Sequence, residues 1–394
     1  MQKKIIALAI ASAMTVPALA YAEATVYGQA NLSIDMVDDG HTQNSVTNNQ
    51  LNSNTSRLGL KGSEDLGGGL SAVWQVEGTL SPDMGATGTS LFNRNNFLGL
   101  KSDSLGTALL GKIDTPYKTA TRRLDLFGDG IADNRGSQVA GATANSSTPF
   151  TTTMMGGGHD ARLDNVIAYM SPSMSGMSVA LATVFGGETG SFFSTTPNAD
   201  PKKGSAYSLA GMYDQGPFYA TLAYQTLKVG SSGSGSLGSD VLNGTASTSA
   251  GNVSNGLGGI NTWAADDETT AIKLGGSYTM DAFMVGLVWE DLSSKVSGLT
   301  TPATTRLDVK STNMYFSGKF NISATDAVKL AYTMRGEQSV AGTKLGNNAD
   351  QITIGYDHAM SKATTVYALY SAVSEKLAGE PDPTVLSLGM KHSF

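Results

Sequence analysis

The sequence predicts an all-β protein, a transmembrane antiparallel β-barrel of about sixteen strands. Three observations support this fold class. Apolar and polar residues alternate in short segments along almost the whole chain, as in β-strands with two different faces. The connections between these segments alternate between long and short. Apart from the N-terminus, no apolar run approaches the roughly 20 residues that a membrane-spanning helix needs.

The clearest hairpin lies in residues 55–78, TSRLGLKGSEDLGGGLSAVWQVEG. In its first arm, Leu58 and Leu60 share one face and Arg57 and Lys61 share the other. The second arm repeats the pattern, with one face formed by Leu70, Ala72, Trp74, Val76 and Leu80 and the other by Ser71, Gln75 and Glu77. We expect the apolar face to contact lipid and the charged face to line a water-filled lumen.

The composition indicates one domain without spanning helices. The 394 residues include 47 glycines, 15% charged residues and no cysteine, and no linker or composition shift divides them. The mean hydropathy of −0.10 is too low for a helical membrane protein. The absence of cysteine fits a protein that crosses an oxidising periplasm unfolded, because stray thiols would pair wrongly there.

Residues 1–22 have the pattern of a signal peptide. Lys3 and Lys4 form its basic region, residues 5–16 its apolar region, and residues 20–22 (Ala-Tyr-Ala) an A-x-A cleavage site. We therefore expect export through the Sec pathway and a mature barrel of residues 23–394. Removing two of the 26 basic residues leaves 24 against 33 acidic ones, a net charge of about −9.

The mature chain opens with the most regular strand pattern, in residues 25–36. Further strands are predicted at residues 93–101, 107–112, 163–170, 177–187, 205–213, 217–228, 270–279, 282–291, 311–320, 327–335, 351–357, 364–371 and 384–393. With the hairpin arms, these segments make the predicted sixteen strands.

The connections at the two ends of the predicted barrel differ in length. Long connections include residues 37–54, 116–162, 229–268, 292–309 and 336–350, and short ones include 62–69, 102–106, 171–176, 214–216 and 280–281. Short periplasmic turns and long outer loops are typical of outer-membrane barrels. The longest connection early in the chain, residues 116–162, has no sustained period of two, so we expect it to be a functional element.

A closed barrel leaves no backbone hydrogen-bonding group unpaired in lipid. Two sets of side chains fit the opposite faces of such a barrel. Aromatic residues near strand ends fit interfacial girdles: Trp74, Tyr224, Tyr278, Trp289, Tyr332 and Tyr356. Basic residues occupy the other face: Lys273, Lys319, Lys329, Arg335 and Lys391. The last strand, TVLSLGMKHSF, ends on Phe394, which shares a face with Leu386, Leu388, Met390 and His392. Such a C-terminal strand is the signal for the barrel assembly machinery and predicts the outer membrane.

Five stretches of the mature chain resemble the general diffusion porins of the Gram-negative outer membrane. They are TVYGQANLSID, SRLGLKGSEDLGGGLSAVWQVE, RNNFLGLKSDSLGTALLGK, LDNVIAYMSPSMSGMSVA and the terminal MKHSF. The resemblance implies a homotrimer of sixteen-stranded barrels in outer-membrane lipid and lipopolysaccharide. It also implies that the third outer loop folds into each lumen and narrows the pore. In strand 93–101, Asn95 and Lys101 lie alongside Phe97, so we expect this poor lipid face to be buried against a neighbouring subunit.

The resemblance also implies the residues of the pore constriction, where wall arginines face acidic residues of the third loop. Arg57 and Arg94 match the first two wall arginines. Gln29 and Met170 stand where the family has a basic residue and a third arginine, and Arg162 is expected to substitute for the latter.

The loop motif LDLFGD supplies the acidic candidates Asp125 and Asp129, and it follows directly on Arg122 and Arg123. Opposed charges would set up a transverse field that favours dipolar solutes. The basic candidates outnumber the acidic ones even when Asp133 is included, which predicts a mild preference for anions.

The predicted function is therefore passive passage of small hydrophilic solutes and ions, sorted by size and charge, with no cofactor, metal or nucleic-acid partner. The four histidines, His41, His159, His358 and His392, have no metal-ligand spacing. Two alternatives stay open. A phospholipase-like barrel enzyme would need Ser and His on the lipid face, and an adhesin barrel would act through its outer loops; the long third loop favours the channel.

Overall fold

The computed structural model describes residues 23–40, 47–85, 91–135, 154–185, 204–228, 267–296, 306–377 and 382–394. These residues form one antiparallel sheet of nineteen strands with a short helix and a 3-10 turn. The strands are β1 Glu23–Asp38, β2 Thr47–Ser53, β3 Arg57–Gly67, β4 Leu70–Thr79, β5 Asn96–Ser102, β6 Gly106–Asp114, β7 Arg162–Met170, β8 Met177–Phe185, β9 Ser205–Gln215, β10 Phe218–Lys228, β11 Glu268–Met280, β12 Phe283–Val296, β13 Leu307–Asn321, β14 Asp326–Arg335, β15 Ser339–Val340, β16 Thr343–Lys344, β17 Ala349–Ala359, β18 Thr364–Glu375 and β19 Thr384–Ser393. Helix α1 spans Pro116–Arg122, and the 3-10 turn spans Gly157–Asp160.

The sheet closes into a barrel of sixteen wall strands, which confirms the predicted fold class. Each wall strand pairs with the next wall strand along the chain, and β19 pairs with β1 to close the ring. Strands β2 and β3 are two halves of one wall strand, because both pair with β1. Strands β15 and β16 form a small hairpin within the connection from β14 to β17.

Two of the loops are shorter in the structure than the sequence predicts. Strand β2 lies inside the predicted loop 37–54, and β12 and β13 extend into the predicted loop 292–309. The predicted signal peptide, residues 1–22, lies outside the described residues, as does His41. In the described part of the chain, no helix is long and apolar enough to span a membrane.

The two faces of the wall have opposite character. On the outer face, Val26, Leu60 and Leu98 are about half exposed. On the inner face, Asp35 and Glu290 are fully buried. An outer face that exposes large apolar side chains while charged groups are buried inside is the reverse of a water-soluble protein and suits lipid.

The C-terminal residue takes part in barrel closure. Gly28 N donates to Phe394 O at 2.9 Å, and Phe394 N donates to Gly28 O at 3.1 Å. A Cβ at position 28 would lie 2.5 Å from the Phe394 ring, so glycine lets this ring approach the β1 backbone. Phe394 therefore helps to hold the last strand against the first.

One predicted face is wrong. Asn95 lines a cavity inside the barrel, and Phe97 packs on the inner wall with Val73 and Leu109. The outward side chains of β5 are Leu98 and Leu100, since they alternate with Phe97 and are exposed. The expectation that a polar face of this strand meets a neighbouring subunit therefore loses its basis.

The third loop, residues 115–161 between β6 and β7, packs against the inner face of the wall. Its described parts are residues 115–135 and 154–161. Ser317 Oγ donates to Leu124 O at 2.9 Å, and Asn31 Nδ2 donates to Asp129 O at 3.1 Å. Loop residues Leu124, Phe127 and Ile131 are buried in a cluster with wall residues such as Val288, Tyr315 and Leu369. The barrel therefore has a small apolar core inside its lumen.

Candidate functional site

Helix α1 starts the third loop and gives it two different faces. Thr115 Oγ1 caps the helix by accepting from Lys118 N at 3.3 Å, and Pro116 occupies its first turn. Tyr117 is buried on the wall side, where its backbone N donates to Ser208 Oγ at 2.9 Å. Lys118 and Arg122, one helical turn apart, both line a cavity on the opposite side.

A buried charge cluster anchors the two ends of the loop to β11 and β12. Tyr117 Oη donates to Glu290 Oε1 at 2.7 Å, and Gly156 N donates to Glu290 Oε2 at 2.8 Å. Lys273 Nζ lies 2.5 Å from Asp160 Oδ1 and 3.4 Å from Glu290 Oε1. Tyr117 near the start of the loop and Gly156 near its end are thus tied to the same wall carboxylate.

His159 belongs to this anchor and is fully buried. Its Nε2 lies 2.9 Å from Thr269 Oγ1. Burial, followed by the charge of Lys273, lowers the pKa of His159 to about 3. The imidazole is therefore neutral at physiological pH and serves as a packed hydrogen-bonding group. In the described residues, no group of three or more His, Cys, Asp or Glu side chains is arranged to hold a metal ion.

The space left between the third loop and the wall strands β1 and β3–β7 is a cavity of about 440 Å³, here called the luminal cavity. Its charged lining among the described residues consists of seven basic side chains, Arg57, Lys61, Arg94, Lys118, Arg122, Arg135 and Arg162, and three acidic ones, Glu77, Asp114 and Asp129. The lining therefore carries a formal excess of positive charge.

Glu77 holds two wall arginines in place. It is only 5% exposed, and its carboxylate accepts from Arg94 Nε at 2.5 Å and from Tyr27 Oη at 2.9 Å. Arg57 Nε lies 3.9 Å from the same carboxylate. A buried carboxylate is stable when it is paired and hydrogen-bonded, so these contacts fix the positions of both guanidinium groups.

Asp129 connects the loop to the wall. Its Oδ2 lies 3.0 Å from Arg57 Nη1, and its Oδ1 lies 2.6 Å from Arg122 Nη2. Burial favours the neutral carboxyl, but the charges of Arg122 and Arg57 outweigh it and hold the pKa of Asp129 below its usual value. The expected opposed charges are thus in direct contact here, with no open gap between them.

Asp114 makes a third shared ion pair. It lies 2.7 Å from Lys118 Nζ and 2.9 Å from Arg162 Nη2. Arg162 Nε also donates to Asn95 Oδ1 at 2.9 Å. Arg162 therefore occupies the same cavity as Arg57 and Arg94.

Two sequence candidates lie elsewhere. Asp125 is buried behind the cavity lining, where its Oδ1 accepts from Tyr315 Oη at 3.1 Å and from Phe127 N at 3.0 Å. Burial, followed by the nearby Asp133 carboxylate, raises the pKa of Asp125 to about 7. Arg123 turns away from the cavity, lies 2.5 Å from Asp214 and stacks over the Tyr219 ring at 4.2 Å.

Sequence reasoning missed the cavity roles of Asp114, Lys118 and Arg135, and it had placed Glu77 only on the luminal face. The Thr-Pro pair at residues 115–116 is a helix-start signal that could have predicted α1. From α1, the four-residue spacing of Lys118 and Arg122 would have placed both on one side, next to Asp114 at the end of β6.

Comparison with known proteins identifies the family. Residues 7–376 match the family described as Gram-negative porin. Major outer membrane protein P.IB of Neisseria lactamica is 23% identical over 400 residues, and outer membrane porin protein 32 of Delftia acidovorans is 26% identical over 420 residues. Both matches cover 100% of each chain.

Solved structures of the same fold agree with this match. The anion-selective porin from Comamonas acidovorans superposes with a TM-score of 0.67 and 22% identity, covering 95% of this chain and 100% of that chain. A trimer form of OmpT from Vibrio cholerae gives a TM-score of 0.62 and 15% identity, covering 95% and 99% of the two chains. Because the family match spans most of the sequence, the chain belongs to the Gram-negative porin family and is an outer-membrane β-barrel.

Proposed function

We propose that this porin is a passive channel for small hydrophilic solutes whose luminal cavity favours anions. The observation that carries the proposal is the charge of the cavity lining, seven basic against three acidic side chains among the described residues. Passage through such a cavity requires no catalytic group, cofactor or energy source.

The acidic side chains of the cavity are already occupied. Each of the three contacts two basic groups: Glu77 contacts Arg57 and Arg94, Asp114 contacts Lys118 and Arg162, and Asp129 contacts Arg57 and Arg122. Among the described residues of the cavity lining, a passing cation meets no carboxylate without two positive neighbours. A passing anion meets guanidinium groups, each of which has further donors to offer.

The cavity outweighs the acidic exterior in setting the sign of selectivity. The mature chain carries a net charge of about −9, which would concentrate cations at the mouths of the channel. At physiological salt the Debye length is about 8 Å, so charges farther than that from the ion path are largely screened. The matched porin from Comamonas acidovorans is described as anion-selective, which agrees with this proposal.

Reversal potentials test this proposal. Purified protein in a planar bilayer should give stepwise conductance, and a potassium chloride gradient should give a reversal potential of the sign expected for chloride preference. A potential of the opposite sign would overturn the anion preference, and an absence of conductance would overturn the channel itself.

We further propose a homotrimer in outer-membrane lipid and lipopolysaccharide, supported by the trimer form described for Vibrio cholerae OmpT. Light scattering of the detergent-purified protein should give the mass of three chains, and a monomer in mild detergent would contradict the trimer.

The barrel assembly machinery is proposed to recognise the strand ending at Phe394, which closes the barrel through Gly28. Deleting Phe394 should reduce folded protein in the outer membrane, and unchanged assembly would exclude this role.

A further inference from the structure

A second cavity lies in the periplasmic half of the lumen, below the arginine cluster. It has a volume of about 360 Å³, and its lining includes four apolar side chains on adjacent strands: Val73 on β4, Phe97 on β5, Leu109 on β6 and Met170 on β7. We call it the apolar cavity. It lies towards the short turns, since Met170 directly precedes the turn from β7 to β8.

Two glycines expose the aromatic ring at the centre of this patch. Phe97 pairs with Gly111 on β6, and Val73 pairs with Gly99 on β5. A Cβ at Gly99 would lie 2.3 Å from Ala108 O, and one at Gly111 would lie 2.2 Å from Asn96 O. Neither glycine can be replaced without backbone movement, so the positions beside Phe97 and Val73 stay without side chains.

One cation belongs to both cavities. Lys61 lines the apolar cavity and the luminal cavity, and Gln75 does the same. The ammonium group of Lys61 lies 5.0 Å from the centre of the Tyr27 ring. Across the ranges that the structure covers, Lys61 makes no ion pair, in contrast to Arg57 and Arg94. It is therefore a positive group available to a solute at the border between an apolar surface and the arginine cluster.

We propose that the apolar cavity is a binding subsite for small aromatic carboxylates. This proposal rests on the proposed function of the protein as a channel. The ring of the solute packs on Phe97, Val73 and Leu109, and its carboxylate pairs with Lys61. From there the carboxylate can pass to Arg57 and Arg94, which lie in the adjoining luminal cavity.

The chemistry of the lining selects this class over others. A small aliphatic carboxylate gains the lysine contact but little apolar contact. An uncharged aromatic alcohol gains the apolar contact but no charge pairing. An aromatic cation is repelled by Lys61 and by the arginines above it. Of these four classes, the aromatic carboxylate alone uses both features, since apolar burial and charge pairing act together.

Benzoate and acetate are the probes for a planar-bilayer test. Each sodium salt is added at rising concentration to open channels in potassium chloride, and the half-blocking concentration is measured. We expect benzoate to block at a concentration about tenfold lower than acetate, because ring contacts add to the shared carboxylate contact. Benzyl alcohol should block no better than acetate. Equal half-blocking concentrations for benzoate and acetate would overturn the proposal.

Two matched pairs of variants locate the site. Phe97→Ala should raise the half-blocking concentration of benzoate about fivefold or more, whereas Leu100→Ala, on the outer face of the same strand, should leave it unchanged. Lys61→Gln should weaken block by both anions, whereas Lys319→Gln, which removes an inner-face lysine on β13, should not. Equal effects within either pair would contradict the assignment.

The outcomes separate the two proposals. Channels that conduct and prefer chloride but treat benzoate like acetate would refute the subsite alone. A protein that forms no channels in any salt would refute the proposed function first. Heat-modifiable migration of each variant on a gel checks that its barrel has folded before the electrical measurement.

Discussion

Arg57 on strand β3 and Asp129 on the third loop form an ion pair of 3.0 Å between Nη1 and Oδ2, across 72 positions of sequence. Asp129 also contacts Arg122 at 2.6 Å, so one loop carboxylate joins the wall to helix α1. This pairing has two consequences. It holds the loop beside the arginine side of the barrel, and it leaves little negative charge for a passing cation.

Replacing Asp129 with Asn should strengthen anion preference. The substitution removes a negative charge from the cavity lining and releases Arg57 and Arg122 towards the ion path. A unit charge roughly 6 Å from the path contributes about 0.7 kcal/mol in water, so we expect a change of about threefold in the chloride-to-potassium permeability ratio. Reversal potentials in a salt gradient measure it. A shift towards potassium would show that Asp129 does not line the path.

Arg94→Ser should shift selectivity towards cations by a similar factor, because it removes a charge and leaves Glu77 with one fewer partner. Arg123→Ser is the matched control. It removes the same charge one residue from helix α1, but Arg123 lies outside the cavity and pairs with Asp214. The control should change the permeability ratio little. If both variants behave alike, the luminal cavity does not set the selectivity.

Anion preference should fall as pH rises from 6 to 8. Burial, followed by Asp133, raises the pKa of Asp125 to about 7, so Asp125 becomes ionised over this range and adds a negative charge 3.4 Å from Arg122. Because this pKa is raised above that of an unfolded aspartate, stability falls as the pH rises from about 4 to about 7, where the unfolded chain loses this proton and the folded protein still holds it. The Asp125→Asn variant should show a flatter reversal potential against pH. An unchanged slope in the variant would assign the titration to another group.

The loop anchor should depend on Lys273, which lies between Asp160 and Glu290 in the buried cluster. Lys273→Met leaves two buried carboxylates without their cation, and breaking a buried pair in this way costs roughly 3–5 kcal/mol. We expect faster trypsin cleavage within the third loop of the folded barrel, visible as two fragments on a denaturing gel. Lys319→Met removes a lysine from the same face elsewhere and should leave cleavage unchanged. Equal cleavage of the two variants would exclude an anchoring role.

The sequence predicted the wall well because a barrel strand must alternate at every step. The strands of the last hairpin, β18 and β19, begin at the predicted residues 364 and 384 for this reason. Arg57, Arg94 and Arg162 followed from the resemblance and from that same alternation. They line one cavity because β3 and β7 carry Arg57 and Arg162 in one continuous wall, and Arg94 lies just before β5 between them.

The loop could not be predicted in the same way, because its order comes from long-range contacts. Arg122 and Arg123 are adjacent in sequence, yet Arg122 lines the cavity and Arg123 pairs with Asp214 near the end of β9. That difference depends on where a seven-residue helix rests against the wall. Likewise, Asp160 contacts Lys273, which lies 113 positions later in the sequence, and no local pattern predicts this contact.

The sign of the reversal potential in a potassium chloride gradient tests the central claim most directly. The wild-type protein in a planar bilayer should show the sign of chloride preference, and Arg94→Ser should reduce that potential while Arg123→Ser keeps it. A wild-type potential of the sign expected for potassium would contradict a channel whose selectivity is set by the basic cavity between β3 and the third loop.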